Sequence, residues 1–118
     1  MALSPHPRVR LSRLRDIGWT LWDPIGLLGT NGRHPGRWDD AANEGFANEY
    51  DHYLIAAASQ LRRGAGPEEV VDYLVGAETE DMLLRQSPDA RARAEAVVAA
   101  ILAEQDLWVW PDEQGRFR

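Results

Sequence analysis

Phe46, Tyr50, Tyr53, Leu54, Ala57, Ala58 and Leu61 recur at three- and four-residue spacings over four turns. That rhythm lines one face of an α-helix, whereas the two-residue period of a strand would scatter the same side chains over both faces. Arg62-Arg63-Gly64 closes the segment: cations suit the carbonyl end of a helix, and glycine suits the left-handed residue that follows. Asp39, Asp40 and Glu44 lie near its expected start and complement the opposite end.

Three further segments carry the same period. Leu11, Leu14, Ile17, Gly18, Leu21 and Trp22 form one face of a first helix, with Pro7 placed in its opening turn and Asp23-Pro24 ending it. A third helix opens at Gly66-Pro67-Glu68-Glu69 and buries Val70, Val71, Leu74 and Val75. Ser87-Pro88-Asp89 opens a fourth with a serine cap, and its buried side is Ala94, Val97, Val98, Ile101, Leu102 and Leu107. Between the first two helices, four glycines and a proline in residues 25–37 mark a long loop over 25–38. The tail from Leu107 alternates and then turns at Pro111-Asp112-Glu113-Gln114-Gly115, a pattern compatible with a short C-terminal hairpin packed on the helices. The expected fold is all-α: one helical domain over residues 1–118, a bundle of about four helices. At 118 residues and 44% hydrophobic, the chain has enough apolar material for one core.

Composition narrows the chemistry. Cysteine is absent, which removes disulfides, thiolate nucleophiles and thiolate zinc sites. No run approaches the roughly 18 apolar residues of a membrane span, so no membrane partner is expected. The start does not follow the pattern of a secretory signal, which makes the cytoplasm the expected compartment. All thirteen basic residues are arginine, and the net charge is −6. The charge is segregated. Arg8, Arg10, Arg13 and Arg15 occupy residues 8–15 without an acid, while residues 39–81 hold eleven acids against two arginines, a net −9.

Few residues are arranged for catalysis. Glu49 and His52 make one Glu-x-x-His, but carboxylate-bridged metal bundles need that motif twice. Ser4, Ser12, Ser59 and Ser87 lie in no nucleophile-elbow context, and no glycine-rich phosphate loop is present. The arginines of the first helix suggest a nucleic-acid face, which the net negative charge disfavours. They also suit pairing with the acidic second and third helices. Trp38, in the loop between Arg37 and Asp39, is the tryptophan best placed for a contact outside the fold.

Trp22-Asp23-Pro24-Ile25-Gly26, then Glu49-Tyr50-Asp51-His52-Tyr53, then Leu61-Arg62-Arg63-Gly64 form a familiar series, continued by Glu78, Glu80 and Met82. Over roughly residues 15–105 the chain resembles a loosely defined group of small bacterial proteins with a W-D-P-I-G motif and a later E-Y-D-x-Y helix. Some of these are immunity-like partners of toxins, and others have no assigned role. The resemblance implies an all-α fold of about four helices. Independently of it, Asp23 is placed to cap a short turn, Gly26 to take a positive φ, and Asp23 or Asp51 to accept from the hydroxyls of Tyr50 and Tyr53.

The leading expectation is a non-enzymatic protein-binding module, most concretely an immunity-type protein that neutralises a basic toxin. Acidic inhibitors complement cationic surfaces and speed association by steering. Trp38, Glu44, Asp51, Glu68 and Asp72 are the expected partner contacts, and no cofactor or metal is expected. The alternatives are a small metal-assisted hydrolase using Glu49 and His52, and an arginine-helix nucleic-acid binder.

Overall fold

A computed structural model describes residues 6–28 and 34–117. Four α-helices dominate: α1 (Leu11–Leu21), α2 (Asp51–Arg62), α3 (Pro67–Gly76) and α4 (Ala90–Ala103). A 3-10 helix over Ala41–Phe46 precedes α2, and a π-helical turn over Ala77–Asp81 continues α3. Two-residue strands β1 (Arg8–Val9) and β2 (Trp108–Val109) pair antiparallel, Arg8 opposite Val109 and Val9 opposite Trp108.

The helical stripes meet in one core of Leu14, Trp19, Trp22, Tyr50, Leu54, Ala57, Val70, Leu74, Ala94, Val97 and Ile101, among others. Leu107 joins it from beyond α4 and is 1% exposed. At the α1–α2 contact a Cβ built on Gly18 would lie 2.5 Å from Leu54 Cδ1. The absence of a side chain at Gly18 leaves the space that the buried Leu54 side chain fills. Trp19 and Trp22 flank Tyr50 with ring centroids 4.7 and 5.4 Å away, in the tilted arrangements that aromatic quadrupoles favour.

Several local expectations are corrected. Pro7 is not in the first turn of α1: residues 8–9 are extended, and the helix starts at Leu11. The Arg10 amide donates to the Leu107 carbonyl at 2.7 Å, so the N-terminal segment is pulled onto the tail. For the same reason the strand at Trp108 pairs with the start of the chain and not with the residues after it. The turn itself does form, Asp112 N donating to the Arg116 carbonyl at 2.7 Å. The helical run from Phe46 breaks into a 3-10 segment, and α2 begins at Asp51. Buried Asn43 sits in that segment and donates to the carbonyls of Pro35 and Arg37 at 3.2 and 2.7 Å. Its geometry answers to the loop as much as to the helix. Ser87 does not cap α4; its hydroxyl donates to the Asp89 carboxylate, and Asp89 holds the cap position without a side-chain capping bond. Leu102, assigned to the buried side, is 57% exposed.

Residues 29–33 of the expected loop lie outside the described residues. Its flanks are tied together: His34 N donates to the Leu27 carbonyl at 3.0 Å, and the His34 ring rests 4.7 Å from Phe46. No helix among the described residues is long and apolar enough to cross a membrane.

Candidate partner-binding site

The motif residues converge inside the molecule. Asp23 has φ 31°, a left-handed conformation that aspartate tolerates better than most residues, and Gly26 follows at φ 75°. The turn folds back so that Asp23 Oδ1 accepts from Leu27 N at 3.0 Å and Oδ2 from Leu28 N at 2.9 Å. Tyr50, at the entry of α2, donates its hydroxyl to Asp23 Oδ1 at 2.7 Å and accepts from Ile25 N at 3.1 Å. Burial pushes the Tyr50 phenol far above its ordinary range, and the bond to Asp23 adds to the effect. Of the two acids expected to serve the tyrosine hydroxyls, Asp23 serves Tyr50.

A second buried node adjoins it through Trp22. Glu78, in the π-helical turn, is 2% exposed. Its Oε2 accepts from Trp22 Nε1 at 3.1 Å and its Oε1 from Arg93 Nη2 at 2.6 Å. Arg93 reaches Asp89 as well. The Ser87 hydroxyl and then Arg93 hold the Asp89 carboxyl below the usual carboxylate range. Trp22, Asp23, Tyr50 and Glu78 are thus joined by hydrogen bonds and ring contacts that pin α1, α2 and the end of α3 together. Their polar atoms are engaged in hydrogen bonds within the fold.

The five expected contacts fall in three places. Trp38 is half-buried; its indole N–H donates to Asp16 Oδ1 at 2.7 Å, and the Arg15 guanidinium lies 5.4 Å from its ring centroid. Arg15 also grips Asp51 with two hydrogen bonds, at 2.9 and 2.6 Å, so Trp38 and Asp51 share one arginine. The Asp51 side chain is 18% exposed and faces inward to that pair. Glu44 is exposed on the 3-10 helix, and no described hydrogen bond or ion pair links it to either of the other groups. Glu68 and Asp72 lie one turn apart on α3, both exposed, and Asp72 accepts from Arg91 of α4 at 2.8 Å. His52 is exposed and edges the Tyr53 ring at 5.5 Å. Among the described residues no group of three or more His, Asp or Glu is placed to hold a metal ion.

Glu68 belongs to a feature the sequence reading missed. A groove of about 200 Å³ runs along the α3–α4 seam, lined by Pro67, Glu68, Val71, Glu95, Val98 and Leu102 with Arg91 at one end. On α4 the residues Arg91, Glu95, Val98 and Leu102 follow the i, i+4, i+7, i+11 series of a single helical face. That spacing was the available signal. Leu102 extends the apolar period of α4 by one turn, so its spacing alone is that of a core residue.

Comparison with protein-family models, curated proteins and solved structures finds no match to this chain. The site therefore rests on its own geometry and charge. Of the four arginines near the start, only Arg15 reaches the acidic middle segment in an ion pair. Arg13 pairs with Glu104 at 3.4 Å, and Arg8 lies over the Phe117 ring at 4.1 Å. Within residues 39–81, Asp39, Asp51, Asp72 and Glu78 have arginine partners. Asp40, Glu44, Glu49, Glu68, Glu69, Glu80 and Asp81 are all exposed and form no ion pair with another described residue.

Proposed function

We propose that this chain is a non-enzymatic protein-binding module that recognises a basic partner, of the immunity type that neutralises a basic toxin. The supporting observation is the set of seven exposed acids in residues 39–81 that no described arginine neutralises. Exposed acids without a cationic neighbour make the local potential more negative and steer a cationic partner toward them. The buried motif network supports the same reading, since it spends the conspicuous polar residues on rigidity and leaves recognition to the surface. A hydrolase built on Glu49 and His52 has no third ligand beside them among the described residues.

Co-purification from the native host, followed by titration calorimetry against the recovered protein, tests this reading. A basic protein is expected, with affinity weakened about five- to tenfold by Glu44→Lys or Glu68→Lys, each of which removes an unpaired acid. Recovery of no protein, or an affinity indifferent to both reversals, overturns it.

A further inference from the structure

We infer that the α3–α4 groove is the docking site for a basic amphipathic helix of the partner, with an apolar anchor seated against Leu102. The inference rests on the protein-binding reading above and gives it a place. Three observations select the occupant. First, the floor is apolar and prepared: Val71 and Val98 are 4% and 3% exposed, while Leu102 stands 57% exposed at the open end. Second, the rim is acidic. Glu68, Asp72 and Glu95 surround Arg91, three carboxylates to one guanidinium, with Asp72 taking Arg91 directly at 2.8 Å. Two negative charges are left for a partner to meet. Third, the α4 wall is a single helical face from Arg91 to Leu102, about 16 Å at the helical rise per residue, with the first turn of α3 opposite it. Arg91 also borders a separate hollow of about 520 Å³ lined by Val75, Gln86, Ser87, Pro88 and Ala90.

A seam between two helices accepts a third helix through anchors at i, i+3, i+4 and i+7. The charge pattern sets its flanks: lysine or arginine beside the anchors meets Glu68 and Glu95. A second copy of this chain fits poorly, since apposing two such faces sets the same acids against each other, and like charges across an interface are disfavoured.

The probe is a synthetic 18-residue amphipathic helix with a leucine stripe and lysine flanks, beside its counterpart with glutamate flanks. Binding to the full chain is followed by fluorescence anisotropy of labelled peptide, with circular dichroism confirming the fold of each variant. The lysine peptide is expected to bind and the glutamate peptide not to. Leu102→Asp and Glu95→Lys, both exposed positions, each weaken binding about tenfold or more, and Glu44→Lys weakens it by less. If the lysine peptide binds equally to wild type and Leu102→Asp, the groove is not the site, although recognition of a basic partner stands. If neither peptide binds, or both bind alike, this inference fails, and the co-purification experiment judges the functional reading separately. Self-association of the wild type that Leu102→Asp abolishes assigns the groove to a second copy and overturns the inference.

Discussion

Tyr50 has no exposed surface, yet its hydroxyl is fully used, donating to Asp23 and accepting from Ile25 N. Tyr50→Phe leaves both partners in place without the oxygen, and should cost about 1–3 kcal/mol in urea unfolding. The same residue sets an alkaline limit. Its folded pKa lies above the ordinary tyrosine value of about 10, so the folded chain keeps the proton after the unfolded chain has lost it. The stability it contributes is whole below about pH 10 and falls as pH rises beyond that. Unfolding curves collected from pH 8 to 11 should show this fall in the wild type and a shallower one in Tyr50→Phe. Glu78 makes a second prediction. Glu78→Leu strips Trp22 Nε1 of its acceptor and removes one of the two carboxylates on Arg93. A cost of about 3 kcal/mol is expected, at the low end for a broken buried pair because Arg93 is partly exposed and keeps Asp89. Adding Arg93→Met should recover part of that loss in a double-mutant cycle. Much of this was legible in the sequence. Aspartate before proline and glycine announced a turn, and a tyrosine on a buried stripe announced a hydroxyl in need of a partner. The Glu78 node was not legible, because nothing in local spacing says that the indole N–H of Trp22, fifty-six residues earlier, meets that carboxylate.

At the scale of elements, the α1–α2 contact is set by Gly18. Alanine there gains up to about 1 kcal/mol of helix propensity but drives its Cβ into the buried Leu54 side chain. Overpacking should win, at a net cost of about 1–2 kcal/mol. Gly18→Ala should cost less in a Leu54→Ala background, where the clash is gone, and the two unfolding free energies measure the coupling. Four helices with their buried stripes follow from periodicity. Periodicity failed at the ends, where the contest is tertiary. Residues 8–9 form a strand because Trp108–Val109 is there to pair with them, and Asn43 bends the approach to α2 because its amide is drawn to Pro35 and Arg37. Leu102 shows the opposite failure. Its spacing is that of a core residue, but no other element among the described residues covers it, and it stands 57% exposed.

Over the whole molecule, total charge is a poor guide and pairing is a better one. The arginine-rich start and the acidic middle do not cancel: of those four arginines only Arg15 forms an ion pair with the segment, and the others turn to Glu104, to Phe117 or to solvent. Of the five residues expected to contact a partner, Asp51 is drawn into the Arg15 pair, and Glu68 and Asp72 border the α3–α4 groove. Charge runs are visible in a sequence; which members are neutralised by distant arginines is decided by the fold. The central claim is that the acids left over attract a basic protein. It is tested most directly by the salt dependence of affinity for the co-purified partner, measured by calorimetry from low to high ionic strength. Binding should weaken steadily as salt rises, with a shallower slope for Glu44→Lys, which removes one of the unpaired acids. An affinity that does not change with salt, in wild type and variant alike, would contradict it.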